Sequence, residues 1–234
     1  MNKHAQKTWE EDLLATFVEA VKAPYADFAT IGRLIAATDD VECLQQIVAW
    51  LCQYPQAQFA FQKRLTMGDI DLQALHRLSP HTFGYAYAEH MLGNGLQPIK
   101  LPVSGDDGNY VIAHLTETHD IWHIITGFDT TMVGEIKLQA FVTAQLKFSR
   151  FSLTMLAKNI LKTAIEAVEL TEERLDAIAC GWRMGKQARP LFVVQWNTLW
   201  DMPLEQLRIE FNILPRYDST TLLRQYRPQY SAYM

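Results

Sequence analysis

The stretch from Glu135 to Cys180 contains neither glycine nor proline, and within it Leu138, Val142, Leu146, Leu153, Leu156, Ile160 and Leu161 recur at near-helical intervals. Short strands joined by turns cannot be built from so long a run without a backbone breaker, so it predicts two long helices. The break is placed near Leu170, where Thr171 caps a new helix and Glu172 and Glu173 meet the positive end of its dipole. The same period appears earlier. Leu13, Leu14, Phe17, Val18 and Val21 form one stripe of a helix ended by Pro24. A second helix is expected from Phe28 to Ala37, and a third, capped by Asp40, carries Cys43, Leu44, Ile47, Val48 and Leu51 before Pro55. Ser79-Pro80 reads as a cap with proline at the first helical position, starting a segment from His81 to Met91 that Gly93, Gly95 and Pro98 stop. Leu101 to Asn109 has the composition of an exposed turn.

Leu191 to Trp196 is strand-like, but it is equally a buried helical turn. Strands and helices do not alternate, so the chain predicts an all-α fold. A single helical domain is expected over residues 1–215, with an apolar pocket between helices. Residues 216–234, where Tyr217, Tyr226, Tyr230 and Tyr233 stand among polar residues, are expected to form a tail, either an attached arm or a dimer contact.

With 49% hydrophobic residues in 234, the chain has enough apolar material to fold without a staple. A metal site would therefore serve a function. The net charge of −5, with no basic stripe, argues against nucleic acid as a partner. Cys43, Cys52 and Cys180 lack metal-type spacing and read as reduced, structural thiols in a reducing compartment. The first residues show neither a secretion signal nor the acid-poor pattern of a transit peptide, and no window approaches the length of a spanning helix.

Chemistry concentrates between Glu117 and Glu135. His119 and His123 are four apart, so on a helix their imidazoles project from adjacent turns of one face and can grip one ion. Asp120 lies about 100° round from His119 and about 60° from His123, close enough to lean toward the same metal. Gly127 ends this helix, and Thr130 or Thr131 caps the next, bringing Glu135 back toward the first. Ile121, Trp122, Ile124, Ile125, Met132, Val133, Ile136 and Leu138 surround these polar groups, which unpaired in such company would cost several kcal/mol. The bland alternative is a satisfied polar cluster in a core. Compared with the H-E-x-x-H zincin pattern, the acid here is one methylene shorter, which favours a ligand over a general base. No phosphate-binding loop and no nucleophile elbow is present.

The pattern H-D-x-x-H, eleven residues, then Glu, made by His119, Asp120, His123 and Glu135, resembles the signature of the coenzyme Q (ubiquinone) biosynthesis family of helical proteins. Leu78 to Tyr87 is similar to that family's Leu-Pro-x-Gly-Thr-Phe-Gly-x-x-Tyr block, though Pro80 falls one place late and His81 replaces the usual glycine. Trp182, Gly185, Ala188, Pro190 and Leu191 resemble its later Trp-x-x-Gly region.

The resemblance implies that His119, Asp120, His123 and Glu135 bind a divalent metal, zinc by expectation, with magnesium or another divalent ion as alternatives. It further implies an isoprenoid tunnel, homodimerisation, contact with a membrane surface and partnership with other quinone-biosynthesis enzymes. Ile112, Leu115, Leu138 and Val142, one and two turns from the ligands, are the candidate lining of that tunnel; the plain alternative is that they are core. Phe148 to Leu153 is a candidate interfacial segment.

Three functions follow: metal-assisted C1 decarboxylation, oxidative or not, of a prenylated ring precursor; a non-catalytic scaffold presenting a polyprenyl lipid to other enzymes; and, apart from the family, a small metallohydrolase. No catalytic residue is assigned, with His81 and Tyr85 the groups to consider as an acid. Because a transit peptide pattern is lacking, a bacterial-type protein peripheral to a membrane at its cytoplasmic face is expected.

Overall fold

A computed structural model describes residues 3–25, 27–38, 40–103, 105–192 and 194–213, and every regular element among them is helical. In chain order these are α1 (Lys3–Lys22), α2 (Phe28–Thr38), α3 (Val41–Leu51), α4 (Pro55–Lys63), α5 (Leu72–Leu75), α6 (Phe83–Gly93), α7 (Asp107–Thr126), α8 (Met132–Leu146), α9 (Arg150–Glu166), α10 (Thr171–Gln187) and α11 (Leu204–Glu210). The all-α, single-domain expectation holds. No helix among the described residues is long and apolar enough to cross a membrane.

Helix α7 runs through the middle. Tyr110 and Val111 in its first half pack with Ile47, Leu51, Phe61 and Phe192, while Ile121, Trp122 and Ile125 in its second half pack with Phe83, Tyr87, Phe141 and Trp196. Leu115 and Val142 lie against both groups and join them. Helices α8 and α10 approach closely because α10 presents glycines: a Cβ on Gly181 would sit 1.9 Å from the Lys137 carbonyl oxygen, and one on Gly185 2.7 Å from that of Phe141. That contact fixes α8, and with it Glu135, against the rest of the molecule.

The local signals explain most boundaries. The carboxylate of Asp40 accepts from the amides of Glu42 and Cys43 at the start of α3, as its position predicts. Three expectations need correction. Helix α6 is capped by the Thr82 hydroxyl, which accepts from the Tyr85 amide, so the helix starts three residues after Pro80. Helix α7 begins at Asp107 under an Asp106 cap, inside the stretch expected to be a turn: its acids are cap and first-turn residues. The long run breaks at Lys147 as well as near Leu170, because Lys147 adopts φ 56°, its ammonium sits over the Trp50 ring, and the Ser149 hydroxyl caps α9. Of the two readings of Leu191 to Trp196, strand or buried helical turn, the described residues favour the second: Leu191 and Phe192 are buried in a turn and Trp196 opens a 3₁₀ turn. In α1, Val21 is buried as the stripe requires, but Leu14 and Val18 remain exposed. The tail at 216–234 lies outside the described residues.

Candidate metal centre

Helix α7 and helix α8 form the hairpin that the sequence pattern calls for. Gly127, at φ 72°, ends α7 with its amide on the His123 carbonyl. Arg208 on α11 takes up the next two orphan carbonyls, its Nη2 donating to Ile124 O at 2.8 Å and its Nε to Ile125 O at 3.1 Å. Thr131 caps α8, and a Cβ on Gly134 would collide with the Asp129 carbonyl at 1.9 Å, so only glycine lets the turn close. Glu135 thus stands in the first turn of α8, facing the last turns of α7.

Three of the four candidate ligands converge. His119 Nε2 and His123 Nε2 are 3.2 Å apart, Glu135 Oε1 is 3.2 Å from His123 Nε2, and Glu135 Oε2 is 3.9 Å from His119 Nε2. Chemically this set, two imidazole nitrogens and a carboxylate oxygen all within 4.8 Å of one another, suits a divalent ion of the zinc type. Asp120 is not in that group; its Oδ1 faces His90 Nε2 on α6 at 3.5 Å. His90 is the residue that sequence spacing missed, because its link to α7 is made across the fold.

The ring of His123 is oriented by a second contact. Its Nδ1–H donates to the Phe128 carbonyl at 2.9 Å, and since a carbonyl only accepts, the proton is fixed on Nδ1 and Nε2 is turned toward the other two groups. Burial alone would lower its pKa, but the hydrogen bond and charge of Glu135 outweigh burial and raise it. His119 moves the other way, through desolvation and then the charge of His123. The two imidazoles are thus shifted in opposite directions. Burial works against charge on Asp120, yet His90, His119 and His123 together hold its pKa below the ordinary value. Solvent reaches one side: the side chains of His119 and Glu135 are 48% and 37% exposed, that of His123 1%.

The candidate lining residues are packed rather than open. Leu138 is buried in the core, Leu115 and Val142 join its two halves, and Ile112 is half-buried. Two cavities are lined by other residues. One, of about 110 Å³, is mostly apolar and is lined by Ile136, Ile160, Val168, Leu175 and Ile178 between α8, α9 and α10. The other, of about 100 Å³, has His114 and Phe192 in its wall. Tyr85 is stacked on His76, 4.9 Å between ring centroids, and His81 is exposed.

Comparison with known proteins follows the same residues. Residues 2–216 match the family model described as "Coenzyme Q (ubiquinone) biosynthesis protein Coq4". The chain is similar to the mitochondrial ubiquinone biosynthesis protein COQ4 of Kluyveromyces lactis, at 24% identity over 72% of this chain and 53% of that one. It is also similar to the mitochondrial COQ4 homolog of Xenopus laevis, at 28% identity over 88% and 74%. The chain spans about half the length of several curated relatives it matches. A crystal structure of a candidate ubiquinone biosynthesis protein from Nostoc punctiforme superposes with a TM-score of 0.78, at 26% identity over 87% of this chain and 98% of that one. The curated names overturn the expectation of a bacterial-type protein at a cytoplasmic membrane face, since these relatives are named as mitochondrial. The first residues are no guide to location in a chain that spans only part of its relatives. The chain belongs to the coenzyme Q (ubiquinone) biosynthesis protein family Coq4.

Proposed function

We propose that this ubiquinone-biosynthesis protein holds a divalent metal, zinc first, with His119, His123 and Glu135 as ligands and Asp120 beside them, and that it works on a polyprenyl lipid carrying an aromatic head group. The observation that carries the reading is the convergence of His119, His123 and Glu135 with the His123 tautomer fixed by Phe128. An ion bound there would polarise a carboxylate or phenolic oxygen of the ring, the chemistry that C1 decarboxylation needs. The protein's own contribution is to orient His123, to hold Glu135 in the first turn of α8, and to leave the His119 side open for the head group.

The mostly apolar cavity lined by Ile136 on α8 supports a lipid as ligand, and Ile160, Val168 and Leu175 extend its rim onto exposed surface. At about 110 Å³ it takes only a short length of chain, so the rest of an isoprenoid would lie along that apolar rim. Contact with a membrane surface, partnership with other enzymes of the pathway and homodimerisation belong to this reading. A non-catalytic, lipid-presenting role is the second reading. It is favoured by the engagement of Tyr85 with His76, which leaves no evident acid poised over the cluster.

Native mass spectrometry of protein purified without chelator, with metal quantified on the same sample and on His119→Ala, tests the proposal. One divalent ion per chain, lost in the variant, with a co-purifying isoprenoid mass, is the expected result; a bare protein would reduce the cluster to a structural one. Turnover of a prenylated hydroxybenzoate by the purified protein separates the enzyme from the scaffold.

A further inference from the structure

We infer that His90 is a positioning residue for the metal centre, holding the Asp120 carboxylate against the His119–His123 pair; the inference rests on the metal reading above. His90 lies on α6, outside the spacing pattern, and reaches α7 only because the two helices pack together. Its Nε2 is sealed from solvent and makes no hydrogen bond, and Asp120 Oδ1 stands 3.5 Å away. A buried nitrogen without a partner costs about 1–3 kcal/mol, so a small closing movement toward the carboxylate is favoured. The His90 and His123 rings lie nearly parallel, 6.1 Å between centroids, which places Asp120's partner alongside the most buried ligand.

The element that carries His90 is firmly set. The Thr82 hydroxyl caps α6, the amides of Phe83 and Gly84 donate to the carbonyls of Met202 and Trp200, and Tyr87 and Met91 on either side of His90 are fully buried. Asp120, by contrast, is a short side chain with 20% of its surface still reached by water. Without His90 it is free to turn outward, and its negative charge leaves the neighbourhood of the two imidazoles. Partners that orient metal-binding groups in this way typically contribute about 10–100-fold to metal affinity.

The test is zinc titration of the full chain against a chromophoric chelator, for the parent protein, His90→Phe, His90→Gln and His119→Ala, with thermal unfolding of each metal-free protein. His90→Phe is expected to weaken zinc by about 10–100-fold while unfolding near the parent temperature. His90→Gln, whose amide still donates, is expected to recover most of the loss. Zinc bound as tightly by His90→Phe as by the parent overturns the inference, and so does a Gln variant as weak as Phe. A second equivalent of zinc in the parent, absent from His90→Phe, would make His90 a ligand and overturn it too. Retention of zinc by His119→Ala sinks the metal reading itself, whereas its loss there without loss in His90→Phe sinks only the role of His90.

Discussion

Helix α7 carries two histidine–carboxylate groupings, and they are built to opposite ends. Near its end, His119 and His123 with Glu135 are within reach of one another and partly open to water. One turn and more before them, His114 is 5% exposed, neither ring nitrogen has a hydrogen-bond partner, and Glu117 Oε2 lies 4.0 Å from its Nδ1. Burial pushes the His114 pKa down to about 4. Burial likewise raises that of Glu117, whose carboxylate accepts the Met67 amide at 2.8 Å. His123 is thus held above the ordinary imidazole value and His114 below it. The difference is made by what faces them: Glu135 and the Phe128 carbonyl in one case, Phe192 and Tyr110 rings in the other.

Metal content separates the two groupings most sharply. His123→Ala should weaken zinc more than about 100-fold, beyond what loss of an outer partner costs, while His114→Phe should leave it unchanged in equilibrium dialysis. Equal losses would erase the contrast. The pH dependence of stability comes next. The unfolded chain binds a proton at His114 near pH 6.5, whereas the folded chain waits until about pH 4. Below pH 6.5 the unfolded state therefore binds more protons, and stability present above that pH is lost as the pH falls toward 4, by up to about 3 kcal/mol. Urea denaturation between pH 7 and 4 should show this fall, and His114→Phe should flatten it.

The smallest effects come from the caps. Asp106→Ala at the start of α7 and Thr131→Ala at the start of α8 should each cost about 1 kcal/mol in chemical denaturation. Only Thr131→Ala should also weaken zinc, because the Thr131 cap sets the turn of helix on which Glu135 stands. If Asp106→Ala weakened zinc as much, the metal centre would depend on general stability rather than on that turn.

What the sequence made legible was local. His119 and His123 at helical spacing, Gly127 as a stop and Thr130 or Thr131 as a cap needed only one hairpin to be right, and they bring His119, His123 and Glu135 together. The Asp40 cap was readable for the same reason, as was the restart near Leu170, although Thr171 is the first residue of α10 and its hydroxyl donates back to the Val168 carbonyl instead of capping the helix. What failed depended on neighbours distant in sequence. Phe148 lies at a break that Lys147 makes while its ammonium rests on Trp50, a partner from α3. His90 meets Asp120 only through the packing of α6 on α7. The burial of Leu138 likewise depends on a distant partner, since Gly181 and Gly185 let α10 close over α8. Acids near a helix start also misled: Asp106 and Asp107 have the composition of a loop but serve as cap and first turn.

The most direct test is a crystal structure of the protein grown with zinc, with anomalous scattering recorded on both sides of the zinc absorption edge. The account predicts one strong peak enclosed by His119 Nε2, His123 Nε2 and Glu135, with the His123 Nδ1 still on the Phe128 carbonyl. Absence of a peak there at full zinc loading, or a peak at the His114–Glu117 pair instead, would contradict it.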